Sequence, residues 1–229
     1  MVSVSLGMDR YEIYENCDDY IAFPEPDAVF ATDFEKRCLL ALGILKIELS
    51  GSIHDVLIAA PIGDDEGRIG KSDTGEFCAG LWLTYSKDDS KWALDCKPDD
   101  LLSFDIARAE SIRSYEEQKH LFLQDGCILS HGRNRSKFSI FSVGGKESTN
   151  YWNWYSRVKR HISHRLVDIP VAASEKDDMK YVVLVGGDGN DYMYLGTVEA
   201  SVYSRPLLPT IRVFYNPVAK RVLVIHDYS

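Results

Sequence analysis

The 229-residue chain predicts an α+β fold: mainly antiparallel sheet built from hairpins, with two or three helices packed against it. Short β-forming runs come in pairs joined by Gly, Asn, Asp or Pro, and do not alternate with helices as a parallel α/β sheet requires. Helix-period stretches are few, and each carries its own start or stop residue. With 45% hydrophobic residues the chain supplies a core without disulfides. We read 1–229 as one domain, with a subdivision near 126–137 as the alternative.

Residues 11–23 hold short β-forming runs, ended by Pro24 and Pro26. Thr32 and Glu35 have capping-box spacing, so a helix is expected at Asp33, with Phe34, Cys38, Ala41 and Leu42 on one face and Gly43 as a left-handed stop. Leu45, Ile47 and Leu49 then alternate with polar residues, and Gly51-Ser52 turns the chain into a strand over 53–60. A single helix over 33–49 fits the same apolar residues. Residues 63–76 read as a long polar loop, followed by strands over 80–86 and 91–96. Asp99 or Asp100 caps a helix within 101–124 that Gly126 ends, with Leu102, Ile106, Ala109 and Ile112 as its inner face. A strand over 138–143 ends at Gly144-Gly145, and a helix follows over 150–166. The last third is β-rich, with breaks at 186–190, 206–209 and 216–219. Val222 to Ile225 are apolar on both faces, which predicts a strand covered on both sides by the helices.

Gly186-Gly187-Asp188-Gly189 follows the apolar run 181–185 and resembles the GGDG loop of diacylglycerol kinases and NAD kinases. That resemblance implies a nucleotide-dependent phosphotransferase in which Asp188 helps organise metal and nucleophile. Asn190 stands where those loops usually carry Thr, and β-formers follow in place of a helix that would aim amides at phosphate. A hairpin turn is the better reading, with the phosphotransferase as an alternative. Gly70-Lys71-Ser72 fails as a phosphate loop for related reasons: Asp65 replaces a needed Gly, and no helix follows.

Five widely spaced cysteines without a CxxC pair read as reduced cytosolic thiols. Cys78 with a distant His226 could be paired as nucleophile and base, but a structural Cys and His are the simpler identity. His161, His164 and Asp168 share a side of a continuous helix and lack a fourth ligand, so they read as solvated polar groups. We assign no catalytic, cofactor-binding or metal residues. The chain has no signal-like start and no apolar run long enough to span a membrane, so a cytoplasmic protein with no membrane partner is expected.

Charge separates the chain into unlike halves. Residues 1–105 carry 22 acids against 9 bases, a net of −13, whereas 106–229 carry 13 acids against 17 bases, a net of +4. The segment 131–165 concentrates bases and aromatics, which suggests nucleic-acid binding through Arg157, Arg160 and Arg165. On a helical wheel, however, Tyr151, Trp154, Tyr155, Val158 and Ile162 form a core stripe, and Trp152 alone stands at its edge as a candidate binding anchor. Nucleic acid is therefore the lesser reading. The acidic half carries Asp18-Asp19, Asp64-Asp65-Glu66 and Asp88-Asp89 at expected turns, where they would face a cationic protein. The expected function is a non-enzymatic module that binds a basic protein, with an immunity-type inhibitor of a cationic toxin as one concrete form.

Overall fold

The computed structural model describes residues 2–3, 10–130, 135–145, 158–159, 162–168 and 180–228. The fold is mainly antiparallel sheet with helices against it, as the α+β reading requires. One sheet is centred on β4 (Leu39–Leu49), which pairs with β5 (Ser52–Pro61) along one edge. Its other edge takes β3 (Tyr20–Ala22) and, in parallel, β1 (Val2–Ser3). The larger sheet runs in the order β10 (His164–Asp168), β11 (Lys180–Val185), β12 (Asp191–Glu199), β13 (Thr210–Asn216), β14 (Arg221–Asp227) and β7 (Trp82–Asp88). β6 (Cys78–Ala79) and β8 (Lys91–Leu94) share the outer edge of β7. β9 (Phe141–Val143) joins β12, and β2 (Tyr11–Ile13) joins β9.

Turn chemistry sets the hairpins. Ser50 and Gly51 both have positive φ, 51° and 79°, the twist a two-residue β-hairpin favours. At the tip of β7–β8 Asp89 does the same with φ 48°. Between β13 and β14 the side chain of Asn216 accepts from the N–H groups of Val218 and Ala219 at 3.0 and 3.1 Å, which folds the Pro217 turn. Residues 186–190 join β11 to antiparallel β12, as expected of a hairpin turn.

The doubly apolar strand is indeed covered on both faces. Val222 and Val224 join the cluster that contains Leu45, Val56 and Ile58, so the β4–β5 sheet lies on that side. Leu223 and Ile225 pack with Val158, Val182, Leu184 and Tyr192. One cover is thus a second sheet where a helix was expected, and on the other face Val158 and Ile162, from the segment before β10, pack in the same cluster as Leu223 and Ile225. Sheets serve as well as helices because any apolar surface removes these side chains from water.

The helices depart further from expectation. The capping box forms: Thr32 Oγ1 accepts from Phe34 N at 3.1 Å and Glu35 from Thr32 N at 3.0 Å, starting α2 (Asp33–Cys38), which follows the short α1 (Pro26–Val29). It ends at Cys38, and Leu39, Leu40, Ala41 and Leu42 enter β4, fully buried between neighbouring strands. A short apolar run does not distinguish helix from buried strand, and here pairing with β5 decides. Gly43 is therefore no helix cap. It lies in β4 beneath Tyr20, where a Cβ would sit 2.1 Å from the tyrosine oxygen.

α3 (Asp105–Asp125) ends at Gly126 with φ 71°, as predicted, but starts late. Asp100 closes a 3₁₀ turn (Pro98–Asp100) by accepting from Lys97 N, and Leu102 N then donates to Ile69 O, holding 101–103 extended. Its inner face is mixed: Ser111, Ser114, Tyr115, Gln118 and Phe122 are buried and Ile112 packs against the core as expected, while Ile106 is 83% exposed and Ala109 is exposed. α3 docks on the turn after α4 (Ala200–Tyr203), where Ser204 donates to Ser111 O and Ser114 accepts from Arg205 N. Small hydroxyl residues suit that approach because they satisfy buried backbone. The helix expected over 150–166 reaches Val158, but 164–166 belong to β10, paired with β11. Its earlier residues lie outside those described.

Candidate functional site

The best-built acidic element is the turn at Asp64–Arg68. Asp64 is its brace: one carboxylate oxygen accepts from Glu66 N at 3.0 Å and Arg68 N at 2.8 Å, and the other takes the Arg68 guanidinium at 2.9 and 3.1 Å. Gly67 adopts φ 76°, and a Cβ there would meet the Tyr228 hydroxyl at 1.7 Å. Both His226 Nδ1 and Tyr228 Oη reach Gly67 O, at 3.1 and 2.9 Å, so the C-terminal strand locks the turn. Burial holds the Tyr228 hydroxyl up at about 12, with Asp64 adding to the rise. Asp65 and Glu66 are exposed at the apex, with Glu66 also 3.3 Å from Arg68 Nε. Asp64→Ala is expected to lower stability by about 1–2 kcal/mol through loss of two backbone hydrogen bonds, more than Arg68→Ala, whose guanidinium is half exposed and bonds no backbone group of the turn. Urea unfolding of the two variants checks the order.

The other acidic pairs stand at different turns. Asp18 and Asp19 are the two central residues of a tight turn closed by Cys17 and Tyr20, and Asp19 O accepts from Lys46 N. Lys46 lies seven positions along β4 from Leu39, whose partner Pro61 precedes the Asp64 turn, so the two sites are ~23 Å apart along the strand. Asp88 and Asp89 form the tip of β7–β8, whereas His226 N bonds Leu81 O beyond the opposite end of β7. That places them ~20 Å from the Asp64 turn. The structure does not gather the three clusters into one patch. Trp152 lies outside the described residues.

The two glycine-rich segments do approach each other. Residues 71–78 form one wall of a cleft of about 360 Å³ whose other wall is 95–100. Behind Gly75, Glu76 and Phe77 lies a smaller cavity of about 150 Å³, bordered by Gly186, Gly187, Tyr192 and Arg221. Its chemistry is already occupied. Arg221 bonds Asp95 at 2.9 Å and stacks on Phe77 at 4.9 Å, and Asp188 points at its own turn. Asp188 accepts from Asn190 N at 3.1 Å and from the Asn216 amide at 3.0 and 3.2 Å, which holds its carboxyl below the usual range. At the Gly70 loop, Lys71 donates to Asp99 O and no helix follows Ser72.

His226 is buried against Gly67 O, 159 residues away in sequence, while the Cys78 thiol donates to Ala79 O, and burial pushes the imidazole down to about 4. Since Gly67 O can only accept, Nδ1 carries the proton and Nε2 is a bare acceptor, buried without a partner. His164 and Asp168 lie on β10, so the helical spacing with His161 does not form; His161 itself is outside the described residues. Among the described residues no group of three His, Cys, Asp or Glu side chains is placed to hold a metal, and no helix is long and apolar enough to cross a membrane. Of the basic segment, Arg165 is paired with Asp191, Lys137 with Glu15 and Arg135 with Asp125; Arg157 and Arg160 are not described. Comparison with protein-family models, curated proteins and solved structures returned no match to the chain.

Sequence reading did not single out the bracing of Asp64. Its signal was present in the i, i+4 spacing of Asp64 and Arg68 around Gly67. The contacts of His226 and Tyr228 had no local signal.

Proposed function

We propose that the protein is a non-catalytic binding module whose acidic first half engages a cationic protein, with Asp65 and Glu66 at the point of closest approach. An immunity-type inhibitor of a basic toxin is one concrete form. The observation that supports this reading is charge displayed on a fixed turn: both carboxylates stand exposed where Asp64, His226 and Tyr228 already hold the backbone. A turn fixed before binding loses little conformational freedom in the complex. Asp18, Asp88 and Asp89 are exposed and have no ion pair among the described residues, so they add to the negative field from other turns. Such a field raises encounter rates with a positive partner without direct contact.

The test is the double substitution Asp65→Asn with Glu66→Gln, which removes charge and leaves the Asp64 brace intact. With the cationic protein captured from the native source and identified, association should slow by roughly 3- to 10-fold while thermal unfolding stays unchanged. An unchanged association rate would move the contact surface away from this turn.

A further inference from the structure

β6 and β8 lie end to end along one edge of β7, and Thr84 marks their junction. Thr84 N donates to Phe77 O at 2.8 Å, and Thr84 O accepts from Asp95 N at 3.2 Å. The residues next to those contacts are Cys78 and Cys96, so two chain segments bring two thiols to one spot. The two thiols are close enough to shift each other's ionisation, and both line the cleft of about 360 Å³. Cys78 is buried, while Cys96 is partly buried at the cleft wall, and neither is in a disulfide. We propose that Cys78 and Cys96 are a peroxide-sensitive dithiol, with Cys96 as the attacking thiol and Cys78 as the resolving one.

Position assigns the roles. A small hydroperoxide in the cleft meets Cys96, the more accessible of the two thiols, whereas Cys78 is buried in the wall beside it. The neighbouring Cys78 thiol holds the Cys96 thiol below its ordinary range, favouring the thiolate that reacts, although burial and the nearby Asp100 and Asp95 oppose it. Cys38, the third thiol in the neighbourhood, is buried and donates to Phe34 O at 3.3 Å, which leaves it structural.

The chemistry balances with hydrogen peroxide as the oxidant. The Cys96 thiolate attacks one peroxide oxygen, the O–O bond breaks, hydroxide leaves, and Cys96 becomes a sulfenic acid. The Cys78 sulfur then attacks the Cys96 sulfur, forming S–S and breaking S–O, and the departing hydroxide takes up the Cys78 proton as water. Two thiols lose two electrons and two protons, and peroxide becomes two waters. The product bridges β6 to the chain after β8 and closes a loop around the β7–β8 hairpin.

The experiment treats the folded full chain with stoichiometric hydrogen peroxide, blocks remaining thiols with N-ethylmaleimide, and maps peptides by mass spectrometry. The expected product is a Cys78–Cys96 linked peptide, two hydrogens lighter than its parts and reversed by dithiothreitol, formed while exposed Cys17 remains alkylatable. Cys78→Ser should stop the reaction at a Cys96 sulfenic acid that dimedone labels. Cys96→Ser, at the more exposed position, should abolish peroxide uptake in this cleft and serves if the first variant does not fold. Oxidation of Cys17 before any Cys78–Cys96 bridge, or a bridge that forms only after denaturation, would overturn the assignment.

Discussion

Tyr85→Phe should lower stability by about 1–3 kcal/mol, because it leaves two buried backbone groups without a partner. Tyr85 rises from β7 between the two sheets and is fully buried. Its hydroxyl donates to Leu57 O at 2.9 Å and accepts from Ala59 N at 3.0 Å, both on the edge of β5 that no strand covers. One side chain thus does for that edge what a further strand would do, and in a water-free position. The ring packs edge-on against Trp92 at 5.7 Å, so Tyr85→Ala also empties a large volume and should lose about 3–5 kcal/mol. Urea unfolding of the two variants separates hydroxyl from ring. A Phe variant as stable as the parent would show that the oxygen does not join the sheets.

Acid should weaken the fold before most carboxylates titrate, and His226 is the reason. Its folded-state pKa is pushed down from 6.5 to about 4 by burial, against the smaller opposing effect of Gly67 O. Between those values the unfolded chain binds a proton that the folded chain refuses. Stability from this group is therefore complete above pH 6.5 and falls as pH drops toward 4, by about 2 kcal/mol at pH 5. The Asp64 turn should loosen with it, since the imidazole is one of its two clamps. Unfolding free energies at pH 7, 6 and 5, for the parent and His226→Gln, test this: the variant starts lower but should lose less on acidification. Parallel pH curves would remove His226 as the cause.

Local signals carried much of the fold. Ser50-Gly51 and the Thr32–Glu35 box were legible because the turn geometry and the cap depend on residues adjacent in sequence. The hairpin nature of 186–190 followed from the β-formers after it. What stayed hidden was set by distant partners. Leu39 to Ala41 extend because β5 pairs along them and Leu42 O accepts from Phe23 N, and a helical wheel contains no information about those neighbours. α3 buries Ser111 and Ser114 because Ser204 bonds the Ser111 carbonyl and Arg205 N the Ser114 hydroxyl, about 90 residues away, which rotates the inner face from the one its apolar residues predict. Likewise the acidic clusters were visible as charge, but their separation along β4 and β7, and the structural duty of Asp64, came from the fold.

Long-range steering by the acidic half is most directly tested by the association rate with the captured cationic partner as salt is varied. Raising ionic strength from about 0.01 to 0.15 M shortens the screening length from about 30 to about 8 Å, which should suppress a field assembled from turns ~20 Å apart. The expected result is an association rate that falls steeply with salt, a dissociation rate that barely moves, and a weaker salt dependence in the Asp65→Asn, Glu66→Gln variant. An association rate indifferent to salt in both proteins would contradict the account and reduce the charge asymmetry to a matter of solubility.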